Sequence, residues 1–241
     1  TMIRVLRALY NYAMGQYVDA REEPLILHNP TAIISHNKAW NREKPRVGVV
    51  KDYQFKGWYE GVMKLTEHEK NLTKANSSEV ARDFFIFILF TGMRRNEVLS
   101  LKWEDIDFED KTFTVGKTKN HEGLKLPLTW LLLEVLERRK NDNGNPYVFE
   151  GEKPNSHLSP PKKQIEKARE LVGFHFTNHD LRRTFSTTAH RLNFGKYTLD
   201  RLINHKTQDS NDITARYVIL DVEDLREPMN QITDSIWSQI Q

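Results

Sequence analysis

Cysteine is absent from the 241-residue chain, which excludes disulfide bonds and any thiolate metal centre. Also missing is an apolar run of membrane-spanning length. The longest, "FFIFILF" from Phe84 to Phe90, falls far short of the roughly 20 residues a bilayer requires, and it reads as a helix buried on most sides. No stretch near the start combines the charged, apolar and small-residue regions of a secretory signal. The glycines build no phosphate loop of the Walker type. These absences point to a cytoplasmic globular protein, although a chain without cysteine also suits secretion. Charge is only weakly biased: a net +3 and a pI of about 8.9 are compatible with a nucleic-acid partner without requiring one.

What is present is mainly helical patterning. The chain opens inside an amphipathic stretch, "MIRVLRALYNYAMGQYV", an expectation of an excised fragment. Pro24 and Asn29-Pro30 break that periodicity, and the polar, basic "NKAWNREKPRVGVVKDYQ" reads as a linker. A boundary is therefore expected near residue 45, with a small helical piece over 1–45 and the main domain over 46–241. In the main domain, Asn76 with Glu79 predicts the cap that opens the buried helix, and Gly92 its end. "RRNEVLSLKW" predicts a second helix immediately after that turn. Phe113 and Val115, then Leu124, Leu126 and Leu128, alternate with polar residues as an antiparallel hairpin does. "TWLLLEVLERRK" and "SPPKKQIEKARELVG" are helical, the second closed by Gly173. From Asn178 onward the chain reads as helices joined by short loops. The expected class is mainly α with one small antiparallel β-sheet, α+β.

Four stretches carry candidate chemistry. In "HDLRRTF", His179 and Arg182 stand three apart, so on a helix they share a face. Histidine exchanges protons near neutrality and guanidinium presents a fork of donors suited to phosphate oxygens. In "TGMRRNEVLSL", Arg94 follows the turn glycine, where the start of the next helix adds partial positive charge, and Glu97 can orient it. The hairpin connection "KTKNHEGLK" offers Lys117, Lys119 and Lys125, any of which can protonate a leaving oxygen. Finally, His205 precedes Tyr217 by twelve positions in "LINHKTQDSNDITARYV", and a phenol beside cations can serve as a covalent nucleophile. Taken singly, each stretch has an ordinary surface or packing explanation. His175, His179 and Asp180, in "HFTNHD", also admit a metal-dependent phosphohydrolase of the histidine-aspartate type.

Together, "TGMRRNEVLSLKWEDID", "TKN" before "LKLPL", "HDLRRTFSTTA" and "LINHKT" leading to "TARY" closely resemble the tyrosine recombinase family, phage and genomic-island integrases in particular. The resemblance covers about residues 55 to 220, with every element in the family's order. It implies the family's catalytic-domain fold and a site made of Arg94, Lys119, His179, Arg182, His205 and Tyr217, with Glu97 orienting and no metal or cofactor. Lys117 competes with Lys119, because the hairpin register is ambiguous. Two departures stand out: Asn204 occupies a position where the family more often has glycine, and the stretch from His205 to Tyr217 is about three residues longer than usual. The implied activity is site-specific DNA integration and recombination through a 3′-phosphotyrosyl intermediate, and the rival within the same fold is a DNA-binding protein without catalysis. The implied partner is a double-stranded DNA attachment site, held by a tetramer of the full-length protein, the fragment alone being a monomer. Phosphate contacts are expected from Lys117, Lys162, Lys163, Arg183 and Lys206. Residues 1–45 resemble the end of the family's core-binding domain. The closing stretch, with Ile232, Ile236, Trp237 and Ile240 at helical spacing, docks either on a neighbouring protomer or on its own domain.

Overall fold

The computed structural model describes residues 2–37, 39, 48–67, 72–116, 123–140, 144–204 and 221–241. It divides into two compact units, Thr1–Arg46 and Val47–Gln241.

The first unit holds helices α1 (Met2–Gln16) and α2 (Ala32–His36). Polar contacts tie them: Arg7 Nη2 donates to Ser35 Oγ at 2.7 Å, and Asn29 Nδ2 donates to Arg7 O at 3.0 Å. No residue of α1 is buried, and Val5, Leu9 and Tyr12 are largely exposed.

The second unit is organised around α4 (Leu72–Thr91). Phe84 through Phe90 are all inaccessible to solvent, so this helix forms the centre of the core and is covered on every side. It packs against α3 (Phe55–Met63), α6 (Trp130–Arg139) and α8 (Asn178–Arg191). Edge-to-face aromatic contacts set the packing, Phe87 against Phe113 and Phe149, and Trp58 against Phe176. Within this apolar centre the fully buried Asp83 is satisfied by Arg82 Nε at 3.0 Å and Arg138 Nη2 at 3.2 Å, joining α4 to α6. The strands β1 (Ile106–Asp107), β2 (Thr112–Val115) and β3 (Leu124–Pro127) make one antiparallel sheet in the order β1-β2-β3, in which Phe113 pairs with Leu126 and Val115 with Leu124. The short α5 (Arg95–Leu99) follows α4, while α7 (Lys162–Val172) and α9 (Lys196–Leu202) flank α8 in sequence.

The structure departs from the sequence expectations at four places. Helix α4 begins at Leu72, so Asn76 lies inside it; a capping residue marks an end only where the chain turns, and here the helical residues before it continue. Helix α5 is a single turn, shorter than the "RRNEVLSLKW" pattern suggests, because Trp103 belongs to a separate 3-10 turn. A third strand, β1, adds to the hairpin. Residues 48–50, read as linker, belong to the second unit: Val50 is buried and its N–H donates to Thr184 Oγ1 of α8 at 2.8 Å.

Helix α10 (Glu223–Trp237) turns Leu225, Met229, Ile232 and Ile236 inward against α8, α9, β3 and α4. Trp237 meets the ring edges or faces of Trp130 and Tyr59 at 5.1 and 5.3 Å, and Lys56 Nζ holds Gln241 O at 2.9 Å. Of the two docking modes open for the tail, the single chain thus displays the one on its own unit. Ile236→Ala is expected to lower unfolding free energy by about 2–5 kcal/mol, the usual cost of a cavity at a fully buried aliphatic site; an unchanged urea midpoint would mean that the tail adds nothing to its own unit's core.

Candidate DNA-phosphate site

The site grows from two helix ends. Helix α4 stops at Gly92, whose φ of +62° lies in the left-handed region, and an added Cβ there would lie 2.4 Å from Cδ1 of the buried Phe185. Glycine is required twice over, by backbone conformation and by contact. The turn delivers Arg94 as the residue that opens α5. Helix α8 begins at Thr177, whose Oγ1 accepts the Asp180 N–H at 3.2 Å while Asp180 Oδ2 accepts from Thr177 N and Oγ1 at 3.0 and 2.7 Å. This reciprocal cap places His179 in the first turn and Arg182 in the second.

Arg182 is nine-tenths buried. Its Nη1 donates to Gly92 O at 2.6 Å and its Nη2 to Ile203 O at 2.8 Å, so a helix end and a loop fix the guanidinium plane while further donors remain for a ligand. Burial, and then the charge of Arg94, push its pKa below the ordinary arginine value, with Glu97 opposing; a guanidinium stays charged at neutral pH regardless. Arg94 is about half exposed. Its backbone N–H donates to Glu97 Oε2 at 2.9 Å, and Nη1 donates to Glu97 Oε1 at 3.1 Å and to Asn204 O at 2.6 Å. Glu97 thus contacts both the main chain and the guanidinium of Arg94. The helix-dipole contribution expected at this point is small, since α5 has one turn and the Glu97 carboxylate already accepts from the Arg94 N–H at its start.

Arg94, Arg95, Lys162, His179 and Arg182 line one open cleft of about 780 Å³, with Glu97 the sole acidic side chain among its lining residues. Three guanidiniums, a histidine and an ammonium on one surface, with their single carboxylate engaged, make a receptor for an oxyanion. Lys163 instead lines a neighbouring cavity of about 1040 Å³, which shares Pro160 and Lys162 with the first. Arg183 lies elsewhere: its Nη1 donates to Gly48 O at 3.2 Å and contacts Asp180 Oδ1 at 3.3 Å, so the phosphate contact expected of it finds the guanidinium already engaged within the fold. Lys125, a candidate in the hairpin, is paired with Asp110, and this contact raises the lysine's pKa while lowering the aspartate's. Lys117, Lys119, His205, Lys206 and Tyr217 lie outside the described residues.

The metal-dependent alternative loses its acid, because both Asp180 oxygens serve the helix cap and Arg183. Among the described residues no group of three His, Cys, Asp or Glu side chains is placed to hold a metal ion, and no helix there is long and apolar enough to cross a membrane. Two contributors escaped the sequence reading. Gly48 backs so closely on Asp180 that an added Cβ would lie 2.4 Å from its Oδ1. Asn204, noticed only as a departure, has φ +49°, and asparagine tolerates that region better than most residues do.

Comparison with known proteins agrees with this architecture. The model of the phage integrase family matches residues 61–223. Tyrosine recombinase XerA of Pyrococcus furiosus is 28% identical over 182 residues, 71% of this chain and 63% of the relative. Prophage integrase IntF of Escherichia coli is 28% identical over 159 residues, 64% of this chain and 32% of the relative. The chain thus spans less than two thirds of the length of these relatives. Among solved structures, XerH site-specific recombinase bound to palindromic difH substrate, in a post-cleavage complex, aligns with a TM-score of 0.64 at 22% identity, over 98% of this chain and 66% of that one. A lambda integrase dimer bound to a COC′ core site aligns at 0.59 and 17% identity, over 86% and 71%. At such identities the structural likeness speaks for the fold. Since the family model covers 163 of the 241 residues, on a fold that solved recombinases share, the chain belongs to the phage integrase family, the tyrosine recombinases.

Proposed function

We propose that the protein is a site-specific DNA recombinase that cuts and rejoins strands by transesterification. One observation carries this reading: two guanidiniums from distant stretches, Arg94 and Arg182, are held on the same cleft with His179 and feel each other's charge. A bound phosphodiester relieves that like-charge arrangement, and its two nonbridging oxygens suit two donor forks.

In the proposed reaction the Tyr217 phenol oxygen attacks phosphorus and the bond to the 5′ oxygen breaks, leaving a 3′-phosphotyrosyl link and a 5′ hydroxyl. His179 takes the phenol proton and Lys119, with Lys117 as the alternative, supplies one to the departing oxygen. Arg94 and Arg182 hold the nonbridging oxygens as negative charge grows on them, and His205 adds a hydrogen bond. A 5′ hydroxyl from the partner strand then attacks the phosphotyrosyl group and restores the phenol. One ester replaces another at each step, so no nucleotide is consumed. Lys119, Lys117, His205 and Tyr217 are assigned on their sequence motifs alone.

The partner is a double-stranded DNA attachment site, held by a tetramer of the full-length protein, in the bacterial cytoplasm. Residues 1–45 are assigned to the end of a core-binding domain and 46–241 to the catalytic domain. Arg95, Lys162 and Lys163 extend the phosphate contacts beyond the reacting ester, and Lys206 is assigned there on sequence alone.

A randomised pool of nicked duplexes tests this reading, because cleavage next to a nick releases a short 5′-hydroxyl fragment and traps the covalent complex. The wild type is expected to yield complexes that survive denaturing electrophoresis. Tyr217→Phe is expected to yield none while binding DNA within about twofold of wild type, since one hydroxyl contributes little to an interface dominated by phosphate contacts. Binding without any trapped complex in the wild type would favour the non-catalytic reading.

A further inference from the structure

We infer that Asn204 is a positioning residue for Arg94, acting through Glu97 in a three-membered clamp whose role rests on the strand-transfer reading. Asn204 does not line the cleft, so it acts from behind the site. Its side chain and its backbone make separate contributions. The amide Nδ2 donates to Glu97 Oε1 at 3.0 Å, and the carbonyl accepts from Arg94 Nη1 at 2.6 Å. Glu97 Oε1 accepts from Arg94 Nη1 as well, at 3.1 Å, and the side chain of Glu97 is largely buried. Arg94, Glu97 and Asn204 thus close a ring of contacts in which each member touches the other two.

The left-handed backbone at Asn204, φ +49°, turns its carbonyl toward Arg94 while the preceding carbonyl, Ile203 O, accepts from Arg182 Nη2 at 2.8 Å. Two successive carbonyls of one turn therefore hold Arg94 and Arg182. Glycine would adopt that backbone more readily, but it has no amide for Glu97. Without the amide, the carboxylate keeps its two bonds from Arg94 but loses the one donor that comes from outside that pair. With the amide, the carboxylate is pinned, and Arg94 is pinned in turn. The same amide stands 3.8 Å from the position a Cβ would take on Gly116, the last described residue before the hairpin tip. Asn204 thus ties the turn after α9 to the start of α5, more than a hundred positions away in sequence.

The comparison of Asn204→Gly, Glu97→Gln and the double variant tests this directly, since glycine keeps the backbone turn and removes only the amide. With the duplex recovered from the nicked pool at saturating protein, the single-turnover cleavage rate of Asn204→Gly is expected to fall about tenfold, the size of one hydrogen bond's net contribution. Its DNA affinity is expected to stay within about twofold. In the Glu97→Gln background the same change is expected to have little further effect, because contacting residues couple. A wild-type rate in Asn204→Gly, or an equal fall in both backgrounds, would overturn the clamp. Guanidinium hydrogen exchange of Arg94, followed by nitrogen NMR, gives a readout that needs no cleavage: exchange is expected to speed up about tenfold in Asn204→Gly, and unchanged exchange would refute the clamp. If the wild type cleaves no DNA, the strand-transfer reading fails while this second measurement still decides whether Asn204 positions Arg94.

Discussion

Arg182→Ala is expected to slow strand cleavage by a factor of about a hundred to a thousand, equivalent to roughly 3–4 kcal/mol, the usual loss when a fixed donor to developing negative charge is removed. The effect is large because this guanidinium is immobilised before any ligand arrives. Gly92 O and Ile203 O hold two of its donors, and burial to nine-tenths limits competition from water. A phosphodiester bound there as proposed would meet a donor that needs no reorganisation. Truncation also leaves both carbonyls without their partner, so a stability loss of about 1–3 kcal/mol should accompany the rate loss. Measuring single-turnover cleavage well below the variant's melting temperature separates the two effects. Arg182→Lys should recover little, because one ammonium cannot span both carbonyls and still present a fork to phosphate. Cleavage within tenfold of wild type in the alanine variant would remove Arg182 from the reaction.

Gly92→Ala is expected to destabilise the second unit by roughly 2–5 kcal/mol, combining the left-handed backbone penalty of about 1–2 kcal/mol with an overpacking cost of about 1–3 kcal/mol. The methyl group would meet the Phe185 ring at 2.4 and 2.8 Å, and that ring, fully buried, has no exit to solvent. Relief would come from moving the turn, which carries Gly92 O away from Arg182 and Arg94 away from Glu97. A variant that still folds should therefore cleave poorly as well. Gly173→Ala provides the control. Its φ of +81° imposes a similar backbone penalty at the end of α7, but nothing lies within 4 Å of the added Cβ, so only about 1–2 kcal/mol is expected. Urea unfolding of the two variants side by side should show the larger shift for Gly92, and equal shifts would mean that contact with Phe185 costs nothing.

Much of the architecture could be read from local pattern. The run from Phe84 to Phe90 is long enough to be a helix and too apolar to face water, and the structure buries all of it. Alternation at Phe113, Val115, Leu124 and Leu126 foretold the hairpin, whose register pairs those residues. The spacing of His179 and Arg182 placed both on one helical face, and they line one cleft. Other features depend on partners far away in the chain. Nothing next to Asp83 announces that Arg138 of a different helix will neutralise it, and nothing next to Arg183 reveals that Gly48 will take its guanidinium. Helix starts are similarly ambiguous: Asn76 and Glu79 have a cap's spacing, yet the helix runs from Leu72. Asn204 is the clearest case. In the sequence it is only a residue in an unusual place, and its meaning comes from Glu97 and Arg94, more than a hundred positions earlier.

The central claim is that this cleft holds a DNA phosphodiester for attack by a tyrosine. Mass spectrometry of the peptide left on DNA after protease digestion of the trapped complex tests it most directly. A phosphate-linked nucleotide mass on the peptide containing Tyr217, lost in Tyr217→Phe, is the predicted result. An adduct on any other residue, or an adduct that persists in Tyr217→Phe, would contradict it.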